Sequence, residues 1–224
     1  MKNSILVLVA LLSLAGCATQ RAVDDKAAEA SACRKDLDAC MAARRELQAT
    51  LDKDTAASTQ QAEAMKAMES ELRDRLKSEI AAKDVEIERL RSQLSVRVLD
   101  RILFSTGSAD ILPAGLQVLD KVAGVVGAGK ETIRVEGHTD DLPIGQELKK
   151  KYFSNWELSG ARASSVVRYF QFRHGIDPTR MEVVGFSKYR SVAPNDSEAD
   201  RQRNRRVEIV LTPWKPEAAN SPSP

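Results

Sequence analysis

The chain has 224 residues, 34 Lys and Arg against 32 Asp and Glu, and a formal net charge of +2. That length accommodates one ordinary domain plus an extended segment, or two small domains. Between Ala18 and Ser95 there are 14 basic and 16 acidic residues, and between Val96 and Thr212 there are 18 and 15. A balance this even excludes a nucleic-acid footprint, which needs a clustered, strongly basic face.

The chain opens with Lys2, the apolar run "ILVLVALLSLA" and small residues leading to Cys17. This pattern predicts a secretory signal peptide over residues 1–16, too short to span a bilayer as a stable helix. "LAGC" at 14–17 resembles the lipobox of bacterial lipoproteins. The resemblance implies that Cys17 is lipidated and that residues 17–22 form the anchored N-terminus and a short linker. Ala18, standing where an aspartate would favour retention in the inner membrane, implies the outer membrane, with the chain facing the periplasm. Several acyl chains on one cysteine hold a protein stably at a membrane.

From Gly16 to Gly107 there is no glycine, the first proline is Pro113 and the first aromatic residue is Phe104. A stretch rich in Ala, Glu, Lys, Arg, Gln and Leu without helix breakers predicts a long helix over 23–95. Cys33, Leu37, Cys40, Leu47 and Leu51 follow heptad spacing, and Met65, Met68 and Leu72 resume it after Asp54, Ser58 and Gln61. Leu72, Leu76 and Ile80 step by four, a local break, before Ile87, Leu90 and Leu94. The expectation is a coiled-coil spacer that pairs two copies into a homodimer, with a helical hairpin turning near "DKDTAASTQ" as the alternative. Cys33 and Cys40 lie too far apart along one helix for an intrachain disulfide. In an oxidising periplasm they are candidates for interchain bridges, or else two buried, reduced thiols.

At Val96 the pattern changes. "VRVLDRILF" and "TIRVEGH" alternate as strands, "MEVVGF" and "RRVEIVLT" follow as two more, and Pro113 opens a helix with Leu116, Leu119, Val122 and Val126 on one face. Ser154 and Glu157 form a capping box for a second helix running to His174 and stopped by Gly175. The fold class is therefore α/β (α+β): a small mixed four-stranded sheet with two main helices on one face, in the order β-α-β-α-β-β, over 96–212. Residues 213–224, rich in Pro and Ser, are expected to be disordered.

Enzymatic readings come up short. His138 and His174 are the only histidines, no metal-ligand spacing appears, and neither serine nor cysteine is placed beside a base. The expectations are no catalytic residue, no metal and no cofactor. Binding fares better. Asp140 follows the C-terminal end of a strand, where open α/β sheets place ligands. Arg162 falls in the apolar row of Leu158, Val166 and Tyr169, where a charge needs a partner. Two readings stand: an Arg162–Asp140 salt bridge tying helix to strand, or two charges that share a cleft and clamp a ligand carrying an ammonium and a carboxylate.

"FSTGSADILPAG", "VEGHTDDLPI", "NWELSGARASSVVRYF" and "NRRVEIVL", in this order from Val96 to Thr212, resemble the OmpA-like peptidoglycan-binding domain of OmpA, peptidoglycan-associated lipoproteins and MotB. The resemblance implies non-covalent binding of the peptidoglycan stem peptide, chiefly its meso-diaminopimelate. Asp140 would pair the ligand's amino group and Arg162 its carboxylate. Asn155 would line the site, with Asn204 and Arg206 as walls and Arg205 as part of a solvated, basic start of a strand. The loop between Asp140 and the helix is longer than in OmpA and resembles the MotB type, although this chain shows a lipobox where a stator protein needs a membrane-spanning helix. The resulting expectation is a lipid-anchored protein that tethers the outer membrane to the wall. The alternative is a coiled-coil scaffold of an envelope complex, localised by its wall-binding domain.

Overall fold

The computed structural model describes residues 2–90 and 93–213, with side chains described from Val23 onward. The signal peptide, Cys17 and the tail beyond residue 213 therefore lie outside the residues whose side chains are described. The chain divides into two compact units, residues 1–59 and 60–224. No helix among the described residues is long and apolar enough to cross a membrane.

Helix α1 is assigned over Lys2–Arg75, and helical backbone runs without a break through residues 53–61, where the sequence offered a hairpin. Nothing in that stretch breaks a helix, and Thr55 and Thr59 return their hydroxyls to the carbonyls of Leu51 and Thr55. Within the first unit Leu37, Leu47 and Leu51 are exposed, as are Cys33 and Cys40, which form no disulfide within the chain.

In the second unit the helix ends earlier than the sequence suggests. The short α2 (Lys77–Ala81) gives way to β1 (Val85–Leu90) and β2 (Gln93–Leu99), an antiparallel pair. The expected helix over 23–95 is thus corrected to strand from Val85, and the sheet has five strands where four were expected. Lys83 makes the stop by adopting a left-handed conformation (φ 60°). Its N–H bonds the Ile80 carbonyl at 3.0 Å and that of Asp84 bonds the Glu79 carbonyl at 2.9 Å, the doubled pattern that closes a helix C-terminus. A lysine in that role carries no sequence signal, because glycine is the usual occupant. Val85 and Ile87 carry a period of two inside the stretch read as heptad, and β1 buries both while Glu86 and Glu88 face outward.

The remaining elements are α3 (Asp100–Leu103), α4 (Pro113–Val126), β3 (Thr132–His138), α5 (Asn155–His174), β4 (Met181–Gly185), α6 (Glu198–Asn204) and β5 (Arg206–Thr212). The sheet order is β1-β2-β5-β3-β4, antiparallel except for the β3–β4 pair. One face of the sheet presents Leu94, Val96, Val98, Ile133, Val135, Val207, Ile209 and Leu211 to the helices. Leu119 and Val122 of α4, Phe170 of α5, and Leu72 and Leu76 complete that core, all fully buried. Burial of each such side chain stabilises by roughly 1.5–3 kcal/mol. Leu72, read from sequence as a heptad position, and Leu76, read at a local break in the heptad, thus belong to the globular core.

Glycine brings α5 onto the sheet. A Cβ at Gly137 of β3 would lie 2.0 Å from the Ser159 carbonyl oxygen, and one at Gly185 of β4 would lie 2.8 Å from the Gly160 nitrogen. This approach sets the first turns of α5 directly over the C-terminal ends of β3 and β4. The Ser154–Glu157 capping box is present and Gly175 closes the helix at φ 66°.

Candidate functional site

Five charged side chains from the second unit, Asp100, Asp140, Arg162, Glu198 and Arg205, line one cleft of about 330 Å³. Asp100 opens α3 directly after β2, and Asp140 lies two residues beyond β3. Arg162 stands on the second turn of α5, and Arg205 links α6 to β5. Asn155, Leu158, Gly107, Leu142 and Ile144 are also in its wall. The strand ends hold Asp100, Asp140 and Arg205, the capped first half of α5 holds Arg162, and Glu198 opens α6.

Asp140 and Arg162 do not pair with each other. Arg162 is 3 % exposed and its Nη1 lies 2.9 Å from Asp100 Oδ1. The approach is off the N–H direction, so this is an ion pair without an aligned hydrogen bond, and Asp100 Oδ1 receives no donor among the described residues. Arg162 Nε donates to the Ser108 carbonyl at 3.0 Å, and the guanidinium lies 5.3 Å from the centre of the Phe104 ring. Asp140 accepts at 2.5 Å from Arg205 Nη1, and its other oxygen accepts the N–H of Leu142 at 3.2 Å. Arg205 Nη2 reaches Glu198. Asn155 Nδ2 donates to the Leu142 carbonyl at 2.9 Å, fixing the loop that follows Asp140.

Burial dominates the electrostatics. It raises the Asp100 carboxyl from an ordinary 3.8 to about 6, against the opposing pull of Arg162 and Arg205. It also lowers the pKa of Arg162, which Asp100 partly restores. At Arg205 burial likewise works against the charge, but hydrogen bonds to Asp140 and Glu198 outweigh it and the pKa is raised. The cleft therefore holds two cations and three carboxylates at close quarters, with Arg205 more exposed than Arg162 and Glu198 more exposed than the two buried aspartates, and with Asp100 near neutrality at mildly acidic pH.

The other sequence nominations separate. Asn155 is in the cleft wall. Asn204 is fully buried and does not line it: its amide oxygen accepts from the N–H groups of Val192 and Ala193, and its amide nitrogen donates to Ala193 and Asn195. It holds a loop. Arg206 is also away from the cleft, bonded to Glu208 at 2.7 Å and to the Asn204 and Arg190 carbonyls. The alternation of β5 explains the exchange. Val207 must face the core, so Arg206 takes the opposite sheet face and Arg205, before the strand, is free to turn into the cleft. Arg205, read from sequence as solvated, is thus the wall residue. Asp100 was missed because "VRVLDRILF" reads as one strand, although an aspartate at the parity of Val96 and Val98 was a signal that the strand stops. His138 stacks on Phe186 at 5.3 Å and lies 3.8 Å from Glu136, so it makes no pair with Asp140. Lys150 pairs with Glu147 in the loop, and Lys151 covers the Tyr152 ring.

The OmpA family matches residues 103–205, from the end of α3 to Arg205. The peptidoglycan-associated lipoprotein of Pseudomonas aeruginosa is 30 % identical over 120 residues, which cover 54 % of this chain and 67 % of that protein. The chain belongs to the OmpA family. Another relative, the uncharacterized protein YtxE of Bacillus subtilis, is 38 % identical over 112 residues, 50 % of this chain and 45 % of that one. The chain spans about half the length of the curated relatives it matches. Among solved structures, a putative MotB-like protein from Desulfovibrio vulgaris superposes with a TM-score of 0.64 at 27 % identity, over 70 % of this chain and 99 % of that one. The cell wall anchor of the T6SS from Pseudomonas aeruginosa superposes with a TM-score of 0.59 at 33 % identity, over 64 % and 97 %. The five-stranded mixed sheet with its helices on one face is thus the fold of this family.

Proposed function

We propose that this OmpA-family protein holds peptidoglycan non-covalently, taking the meso-diaminopimelate of the stem peptide into the cleft of Asp140 and Arg162. The observation that carries the reading is that these two charges, 22 residues apart in sequence, line one cleft without neutralising each other. A zwitterionic amino-acid centre offers a carboxylate to the fork of Arg162 and an ammonium to Asp140, and each would exchange with an existing partner rather than desolvate a lone charge. Asp100 Oδ1, without an aligned donor, is a second acceptor for the ammonium. Relatives named peptidoglycan-associated lipoprotein and cell wall anchor support the ligand class. The reading is of a binder, not a catalyst.

The same proposal places the protein at the outer membrane, lipid-anchored through Cys17 and facing the periplasm. The lipobox supports this, as do relatives described as lipoproteins. Exposed Leu37, Leu47 and Leu51 at heptad spacing support pairing of two copies through the N-terminal helix. Two weak wall attachments on one dimer then gain by effective concentration.

The test is co-sedimentation of the detergent-solubilised chain with purified diaminopimelate-type sacculi. Asp140→Asn and Arg162→Gln are run beside it and their folds checked by circular dichroism. Wild type should pellet and both folded variants should remain in solution. Pelleting of the folded variants at the wild-type level would reduce the cleft to a set of structural ion pairs.

A further inference from the structure

Beside the charged cleft the protein displays a surface of different chemistry. Trp156 follows Asn155 on the first turn of α5 and is 50 % exposed. Its ring stacks on that of Tyr189, 66 % exposed, with centroids 5.3 Å apart and planes 26° from parallel. Phe153, just before the helix cap, is 84 % exposed. Large flat side chains held in water in a fixed stack are not explained by the core, which is complete without them.

The stack is anchored to the cleft from two sides. Trp156 is one residue from Asn155, a cleft wall. The loop carrying Tyr189 is tied to β3 and α5 by two hydrogen bonds: the Thr139 N–H to the Ser187 carbonyl at 2.9 Å and the Ser187 N–H to Ser159 Oγ at 3.1 Å. Thr139 directly precedes Asp140. The Arg190 guanidinium packs 3.8 Å from the Phe186 ring centre and stiffens the same loop. The aromatic pair therefore keeps a set position relative to Asp140 and costs little conformational freedom when it binds.

We propose that Trp156 and Tyr189 form a saccharide-stacking subsite, which receives the amino sugar that carries the stem peptide. The proposal rests on the peptidoglycan reading of the cleft. A pyranose ring presents a flat face of C–H groups that packs on an aromatic ring, while its hydroxyls remain in water. A half-exposed aromatic stack suits such a ligand, whereas a peptide side chain would call for an enclosed apolar pocket. In the stem peptide two residues separate diaminopimelate from the sugar, a reach of roughly 10 Å when extended. Asn155 of the cleft wall directly precedes Trp156, so a sugar at the end of that reach would leave the cleft on the side of the first turn of α5.

The experiment is calorimetric titration of the full chain in detergent micelles with two probes: the free stem tripeptide ending in diaminopimelate, and the same tripeptide on its disaccharide. The sugar-bearing probe should bind about three- to tenfold more tightly, the range of one aromatic contact. In Trp156→Ala and Tyr189→Ala that advantage should vanish while the tripeptide affinity stays as in wild type. Trp156→Phe should keep part of it. Equal binding of both probes by wild type, or an advantage that survives both alanine variants, overturns the subsite and leaves the cleft reading standing. No tripeptide binding by wild type overturns both. Sedimentation velocity of Trp156→Ala guards the assignment, because dissociation of a dimer would give this face to a second copy and overturn the saccharide proposal.

Discussion

Removing Arg162 has a cost that depends on pH, and the dependence can be worked out from Asp100. Arg162→Ala takes away the guanidinium that faces a buried carboxylate, together with the hydrogen bond to the Ser108 carbonyl. The Asp100 carboxyl titrates near about 6 when folded against 3.8 ordinarily, so the folded chain holds this proton more tightly than the unfolded chain. Its contribution to stability is therefore fully present below 3.8 and is lost as the pH rises through about 6. Without Arg162 the folded value rises further, because Arg162 pulls it down. At pH 7.5 the variant escapes an uncompensated charge by protonating Asp100. That caps the carboxylate's share of the loss at the interval from about 6 to 7.5, worth about 2 kcal/mol. At pH 5.0 the carboxyl is already protonated in wild type and this share is close to nil. Urea denaturation at the two pH values should show Arg162→Ala about 2 kcal/mol more destabilising at pH 7.5 than at pH 5.0. Adding Asp100→Asn should remove the difference. An equal loss at both pH values, or a double variant with the same pH dependence as the single one, would refute the buried-pair account.

Asn204→Ala strands one buried and one half-buried N–H group and a buried carbonyl, so it should cost about 2–3 kcal/mol in thermal or urea unfolding while sacculus binding per folded molecule is kept. Gly137→Ala drives a Cβ into the α5 backbone and should destabilise by about 3 kcal/mol, with a matching fall in melting temperature. Ser154→Ala opens the capping box of α5 and should cost about 1 kcal/mol in the same assay. Cys33 and Cys40 are exposed on the N-terminal helix, and mild oxidation should yield a covalent dimer on a non-reducing gel that a Cys33→Ser/Cys40→Ser variant fails to form.

Much of this protein was legible in its residues alone. The period-two runs of β2 to β5, Pro113 at the start of α4, and the Ser154 cap with Gly175 beyond His174 are local patterns whose physics is contained within a few residues. So was the nomination of Asp140, which lies past a strand end, and of Arg162, a charge in an apolar row. Each is costly where it stands unless something else answers it.

What only the tertiary structure decided was who answers whom. Asp100, Asp140, Arg162 and Arg205 are brought together by strand order β2-β5-β3 and by the close approach of α5 over Gly137, neither of which a linear pattern encodes. The choice of Arg205 over Arg206 turned on which residue of β5 first enters the ladder, since a shift of one residue reverses the face of each side chain. The end of the long helix turned on Lys83 adopting a left-handed conformation that its side chain does not favour, which pays off only because Val85 and Ile87 then join a core built mainly from residues far along the chain. Local sequence determines which groups are costly to leave alone, and the packing of distant segments determines which partner relieves each of them.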